Sequence, residues 1–220
     1  MGTDSPSLYK AISAAELEAA RTVRFDKSFH EYPFRGPAEA WRIRRVLPVD
    51  FEAYGALVLP WRAYLETSTG SWNRVRDEPF DSISEAYTYL GRPVPSPLTL
   101  DIWKSDFRMI EYTRTVPPLA RSALGQFSRD ADAIFIRCHG VERHDWAIDR
   151  ELFLALPDPF VEMPQPFGDF AIFPRGVPWF IHHRDDESIL YLAGSAALIA
   201  RLESACPEQF VRLTLDDYYY

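Results

Sequence analysis

DFAIFPRGVPWFIHHRDDESILYLAGSAALIARLESACPEQFVRLTLDD (Asp169–Asp217) decides the fold. DFAIF reads as a strand, broken by Pro174, Gly176 and Pro178. A hairpin follows, with Arg184, Asp185, Asp186 and Glu187 as its polar tip and Gly194 ending the second arm. Its arms are apolar on both sides. Trp179 and Ile181 fall on one face and Phe180 on the other, followed by Ile189 and Tyr191 against Leu190 and Leu192. A strand that is apolar on both faces is buried on both, so this hairpin belongs in the middle of a sheet. Ser195 then stands where an N-cap should, with a hydroxyl able to accept an orphan N–H. Leu198, Ile199, Leu202 and Cys206 form one stripe at helical spacing, and Pro207 stops the helix. FVRLTL (Phe210–Leu215) returns as a strand with alternating faces.

Working outward, residues 1–12 read as a polar tail. Ser13 and Glu16 have the spacing of a capping box, which opens a short helix. Lys27–Pro37 reads as a wet loop. Trp41–Val49 alternates as a strand, and Phe51–Trp61 reads as a second, with helix competing over Phe51–Leu59. Leu65–Pro79 is a polar excursion around Trp72. Asp81 can cap a helix that Gly91 ends, and RPVPSP is a stiff linker. Strands are expected at Leu98–Lys104, Asp132–Gly140 and Glu151–Leu156. A proline-opened helix is expected after Thr115, ending near Gly125. HDWAI reads as loop, and Pro157–Pro166 as a proline-rich connection. The sum is an α+β fold. One domain spans 1–220, with a mixed, mostly antiparallel sheet of about six strands and three or four short helices.

The charge narrows function. A formal net charge of −8 repels phosphate backbones and favours a basic partner. No apolar run approaches the ~20 residues of a membrane helix, and the N-terminus lacks a hydrophobic signal core, so cytoplasm is the expectation. Cys138 and Cys206 sit in no CxxC pair, which leaves them as free thiols without a zinc or redox motif.

Two polar clusters could carry chemistry. His182-His183-Arg184-Asp185-Asp186-Glu187 holds good metal donors, but adjacent histidines on a strand point to opposite faces. The expectation is a solvated turn with no metal. Cys138-His139 with Glu142, His144 and Asp145 offers a thiol near imidazoles, the raw material of nucleophilic catalysis. There His144 would have to fold back from a loop to serve Cys138. His30, Glu31, Tyr32 and Arg35 could edge a polar pocket. No phosphate loop, GxSxG, HExxH or dinucleotide fingerprint occurs.

A resemblance enters on Trp179, Asp185, Asp186, Tyr191, Gly194, Ser195, Leu198, Ile199 and Leu202. Their pattern is a W-x-hydrophobic strand, an acidic turn, a second strand, a Gly-small pair and a leucine-rich helix. It resembles the tail of a loosely defined group of small bacterial proteins without assigned activity. Arg45–Trp61 and Gly168–Gly176 are similar to two further strand regions of that group. The resemblance implies fold and brings no catalytic residue or cofactor. In style the chain is similar to immunity proteins that neutralise toxins. The expected function is therefore a non-enzymatic binding protein for a basic toxin partner. Trp72, Asp185, Asp186, Glu187, Asp216, Asp217 and Tyr218 are its candidate contact residues. The alternatives are a small-molecule enzyme or metal-dependent hydrolase using Cys138 and His144 or His182 and Asp186, and a ligand-binding domain with an apolar pocket on the aromatic-rich sheet.

Overall fold

A computed structural model describes residues 10–13, 15–16, 42–66, 68–94, 108–111, 116–139, 144–156, 169–183 and 188–217. For Arg45, Glu66, Trp72, residues 108–111, Cys138, His139 and His144 it describes the backbone. The strands are β1 (Lys10–Ala11), β2 (Ala53–Val58), β3 (Trp61–Glu66), β4 (Trp72–Arg74), β5 (Arg108–Glu111), β6 (Ala133–His139), β7 (His144–Asp149), β8 (Asp169–Pro174), β9 (Trp179–His183), β10 (Ile189–Gly194) and β11 (Phe210–Leu213). The helices are α1 (Ile83–Tyr89), α2 (Pro118–Gln126), α3 (Arg150–Ala155) and α4 (Ala196–Ala205).

The fold is α+β, with more strands than the sequence reading expects. An eight-stranded sheet runs β1-β7-β6-β8-β9-β10-β2-β11, and a three-stranded sheet runs β4-β3-β5. Every described pairing is antiparallel. The β9–β10 hairpin occupies the fifth and sixth positions of the large sheet, the central place its two apolar faces require. Trp179, Ile181, Leu190 and Leu192 enter the core under α2, α3 and α4. Phe180, Ile189 and Tyr191 enter a second core on the other face, with Ile43, Val46 and Leu47. A third, smaller core joins Trp61 and Phe80 to α1.

Local signals explain most boundaries. Ser195 Oγ accepts from Leu198 N, as its position before the α4 stripe predicts. Ser13 Oγ accepts from Glu16 N while Glu16 receives the Ser13 N–H, which closes the capping box. In α1 the cap is Ser82, one residue beyond the expected Asp81. Gly91, at φ 65°, ends that helix with Gly91 N bonded to Thr88 O and Arg92 N to Tyr87 O. A left-handed residue at that place lets two orphan carbonyls be satisfied.

Several segments depart from expectation. Of the stretch Trp41–Val49 expected as a strand, the described residues 42–49 form none: Ile43–Arg45 is a single 3-10 turn, and Ile43, Val46 and Leu47 are buried at helical spacing. Phe51–Trp61 is strand and not helix, but Leu59 and Pro60 split it into the end of β2 and the start of β3. The Leu65–Pro79 excursion contains β4, and HDWAI is β7, held between β6 and β1. Glu151–Leu156 is helical, because Asp149 caps α3 through Leu152 N. The tail contributes Lys10–Ala11 to the sheet edge. Leu98–Lys104, Lys27–Pro37 and Pro157–Pro166 lie outside the described residues.

Candidate functional site

The two histidines closing β9 face away from each other. His182 follows Phe180 onto the second face, with its ring 6.5 Å from that of Tyr191. His183 follows Ile181 onto the helix-covered face and stacks on Phe170 at 5.5 Å. The opposed faces are as expected; a solvated setting for the two histidines is not, while the turn residues 184–187 lie outside the described residues. His182 and His183 are 2% and 0% exposed. The reason is the ladder: β9 has a partner on each side out to its last residue, Phe170 and Leu190 both pairing with His183.

The same end of the large sheet collects most of the buried polarity. Arg137, Asp145, Asp169, His182, His183 and Ser188 are buried there, at the ends of β6 and β9 and the beginnings of β7, β8 and β10. Four of the chain's five histidines, His139, His144, His182 and His183, reach this end. The two polar clusters read separately in the sequence are thus brought together by antiparallel pairing. Arg137 donates from Nε to Asp145 Oδ1 at 3.2 Å across the β6–β7 ladder. Cys138 pairs in register with His144, and His139 with Asp169. Expected on a loop, His144 instead opens a strand opposite Cys138. Among the described residues no group of three His, Cys, Asp or Glu side chains is placed to hold a metal ion.

Arg137 and Asp169 escape the sequence reading. The available signal was an arginine inside the otherwise apolar run AIFIRC, where a charge needs a partner across the ladder.

Elsewhere the arginines are turned to internal work. Arg121 donates to the carbonyls of Leu154 and Leu156 at the end of α3, and Arg150 to Gly125 O at the end of α2. These guanidiniums satisfy orphan helix carbonyls and complement the negative pole of each helix. Arg76 binds Pro79 O and Glu85 and lies 3.8 Å over the Phe80 ring. Arg175 pairs with Asp132 at 2.7 Å and holds that carboxyl below its ordinary value.

By contrast, Asp77, Glu78 and Asp81 face solvent on the small lobe, near the exposed Tyr89. Trp72, a candidate contact residue, lies on β4 at the edge of the small sheet. Asp216 is already engaged: its carboxylate pairs with Arg44, and its carbonyl accepts from Arg42. Asp217 accepts from Thr214 N and Ile43 N, so these two acids are tied into the fold and are not a frayed end. Asp185, Asp186, Glu187, Tyr218, Glu142 and the His30–Arg35 group lie outside the described residues.

Comparison with protein-family models, curated proteins and solved structures finds no match. The residues themselves are therefore the argument. One region is a buried polar end of the large sheet; the other is an acidic, aromatic exterior on the small lobe. No helix among the described residues is long and apolar enough to cross a membrane.

Proposed function

We propose that the chain is a non-enzymatic cytoplasmic binding protein for a basic protein partner, a toxin domain that it neutralises as an immunity protein does. One observation carries this reading: several arginines are folded inward, while three acids, Asp77, Glu78 and Asp81, lie together on the exterior of the small lobe. Arg121, Arg150, Arg76 and Arg137 are spent on helix ends, a turn and a buried ion pair. Asp77 pairs with the exposed Arg74 at 3.0 Å and still keeps 90% of its side chain in solvent, with Glu78 and Asp81 beside it. These acids share the sign of the chain's formal net charge of −8. Such a field speeds association with a positive surface and selects against nucleic acid. Tyr89, 55% exposed, supplies an aromatic anchor of the kind that dominates protein interfaces, and Trp72 has its backbone on the edge strand β4.

The test uses the tagged chain as bait in its native host, followed by kinetics with the recovered partner. A basic partner whose association slows steeply with added salt, and slows again in Asp77→Lys/Glu78→Lys/Asp81→Lys, supports the reading. Association insensitive to both salt and those substitutions overturns it.

A further inference from the structure

We propose that the turn Thr214–Asp217 is an edge guard, an internal contact that keeps β11 from adding to the same strand of a second copy of this chain. The carrying observation is the fate of the outward backbone groups of β11, the last strand of the large sheet among the described residues. Val58 N donates to Gln209 O, the pair that extends the β2–β11 ladder by one residue. Backbone direction alternates along an antiparallel ladder. Val211 and Leu213 therefore turn their N–H and C=O groups towards β2, and Phe210, Arg212 and Thr214 turn theirs outward. Asp217 takes both groups of Thr214. Its carboxylate accepts the Thr214 N–H at 2.6 Å, and its own N–H donates to Thr214 O at 3.2 Å.

The guard is held from a distant part of the chain. Ile43 N donates to Asp217 O and Arg44 N to Leu215 O. Arg42 donates to Asp216 O, and Arg44 pairs with the Asp216 carboxylate. These contacts turn the chain away after Leu213, so β11 stops two residues short of FVRLTL, the strand that its alternation predicts. Edges left long and open recruit further strands, and a short edge with one outward position closed offers little to pair with. The occupant kept out is a second copy, because antiparallel pairing of one edge strand with itself is self-complementary. Arg212 of either copy set against Thr214 of the other gives two equivalent pairs about a two-fold axis. That register also keeps the two exposed Arg212 side chains from facing each other. It needs the very groups that Asp217 occupies. The guard requires no toxin partner and is independent of that reading.

Two double variants test it. Asp216→Ala/Asp217→Ala removes the side-chain acceptors, and Asp216→Asn/Asp217→Asn removes the same charges while leaving an acceptor at each place. Self-repulsion is thereby matched between them. Light scattering over a concentration series gives the mass, and hydrogen exchange reports single amides. The wild-type protein and the asparagine variant are expected to stay monomeric, and the alanine variant to approach twice the monomer mass as concentration rises. In the wild-type protein the Thr214 amide should be protected about tenfold more than that of Arg212. In the associated alanine variant the Arg212 amide should become protected. Adding Arg212→Pro removes an outward donor and no bond to β2, and should return that variant to monomer. A natively folded alanine variant that stays monomeric, association that survives Arg212→Pro, or equal association of the asparagine variant overturns the proposal. Where the alanine variant fails to fold, wild-type exchange decides: an Arg212 amide as protected as that of Thr214 means the edge is already paired, and overturns it.

Discussion

The ring of Phe210 lies over Gly55. A Cβ built on Gly55 would sit 2.2 Å from the ring's Cζ and 2.8 Å from Cε1. Gly55 is in β2 and Phe210 in the adjacent β11, which pairs with it as the sheet's last strand. A glycine in a strand interior is weak by itself, and the neighbouring aromatic covers the gap it leaves. Gly55→Ala is expected to lose about 1–3 kcal/mol through overpacking. In a Phe210→Ala background, itself costly, the same alanine should be nearly neutral. A double-mutant cycle by urea denaturation checks this; additive effects would mean that the ring is not what excludes the methyl.

Gly176 poses the opposite case. It turns the chain between β8 and β9 at φ 78°, and a Cβ there would meet no atom within 4 Å. Only conformation is at stake. Gly176→Ala should cost about 1–2 kcal/mol, the penalty for placing an L-residue in the left-handed region. Gly176→Asn should cost less, because asparagine tolerates that region better. Thermal unfolding of the two variants gives the order. The next residue, Val177, is at φ 51° and is buried against the second core, so burial holds a β-branched residue where its backbone disfavours it.

The legible parts of the fold are those whose signals are local or periodic. The two-faced β9–β10 hairpin, the Ser195 cap and the Leu198–Ile199–Leu202 stripe could be read directly because each constrains itself. His144–Asp149 and Glu151–Leu156 could not. The first is a strand because β6 and β1 flank it, and the second a helix because Asp149 caps it. Six apolar-rich residues without a glycine or proline satisfy either period. The site was hidden for a related reason. His182 and His183 look like turn residues beside four charged neighbours, and only two flanking strands bury them. The opposition of Cys138 to His144 depends on strand register, which composition does not encode.

Asp132 offers a test in solution. The Arg175 guanidinium beside it is the main cause of its lowered pKa. A carboxylate whose folded pKa lies below its unfolded value contributes stability above that unfolded value, ~3.9, and loses it as pH falls through the folded pKa. NMR titration should place Asp132 below the ordinary aspartate range, and Arg175→Gln should raise it. Both side chains are more than half exposed, so the effect on overall stability should be small and should shrink with salt.

Arg137 and Asp145 are a different kind of pair. Their side chains are 5% and 7% exposed, and they sit opposite one another on β6 and β7. Removing one partner leaves a buried charge with less compensation, which typically costs about 3–5 kcal/mol. Asp145→Leu and Arg137→Met are each expected to destabilise on that scale. The double variant should recover a large part of the loss, since an apolar pair avoids the desolvation that both charges suffer.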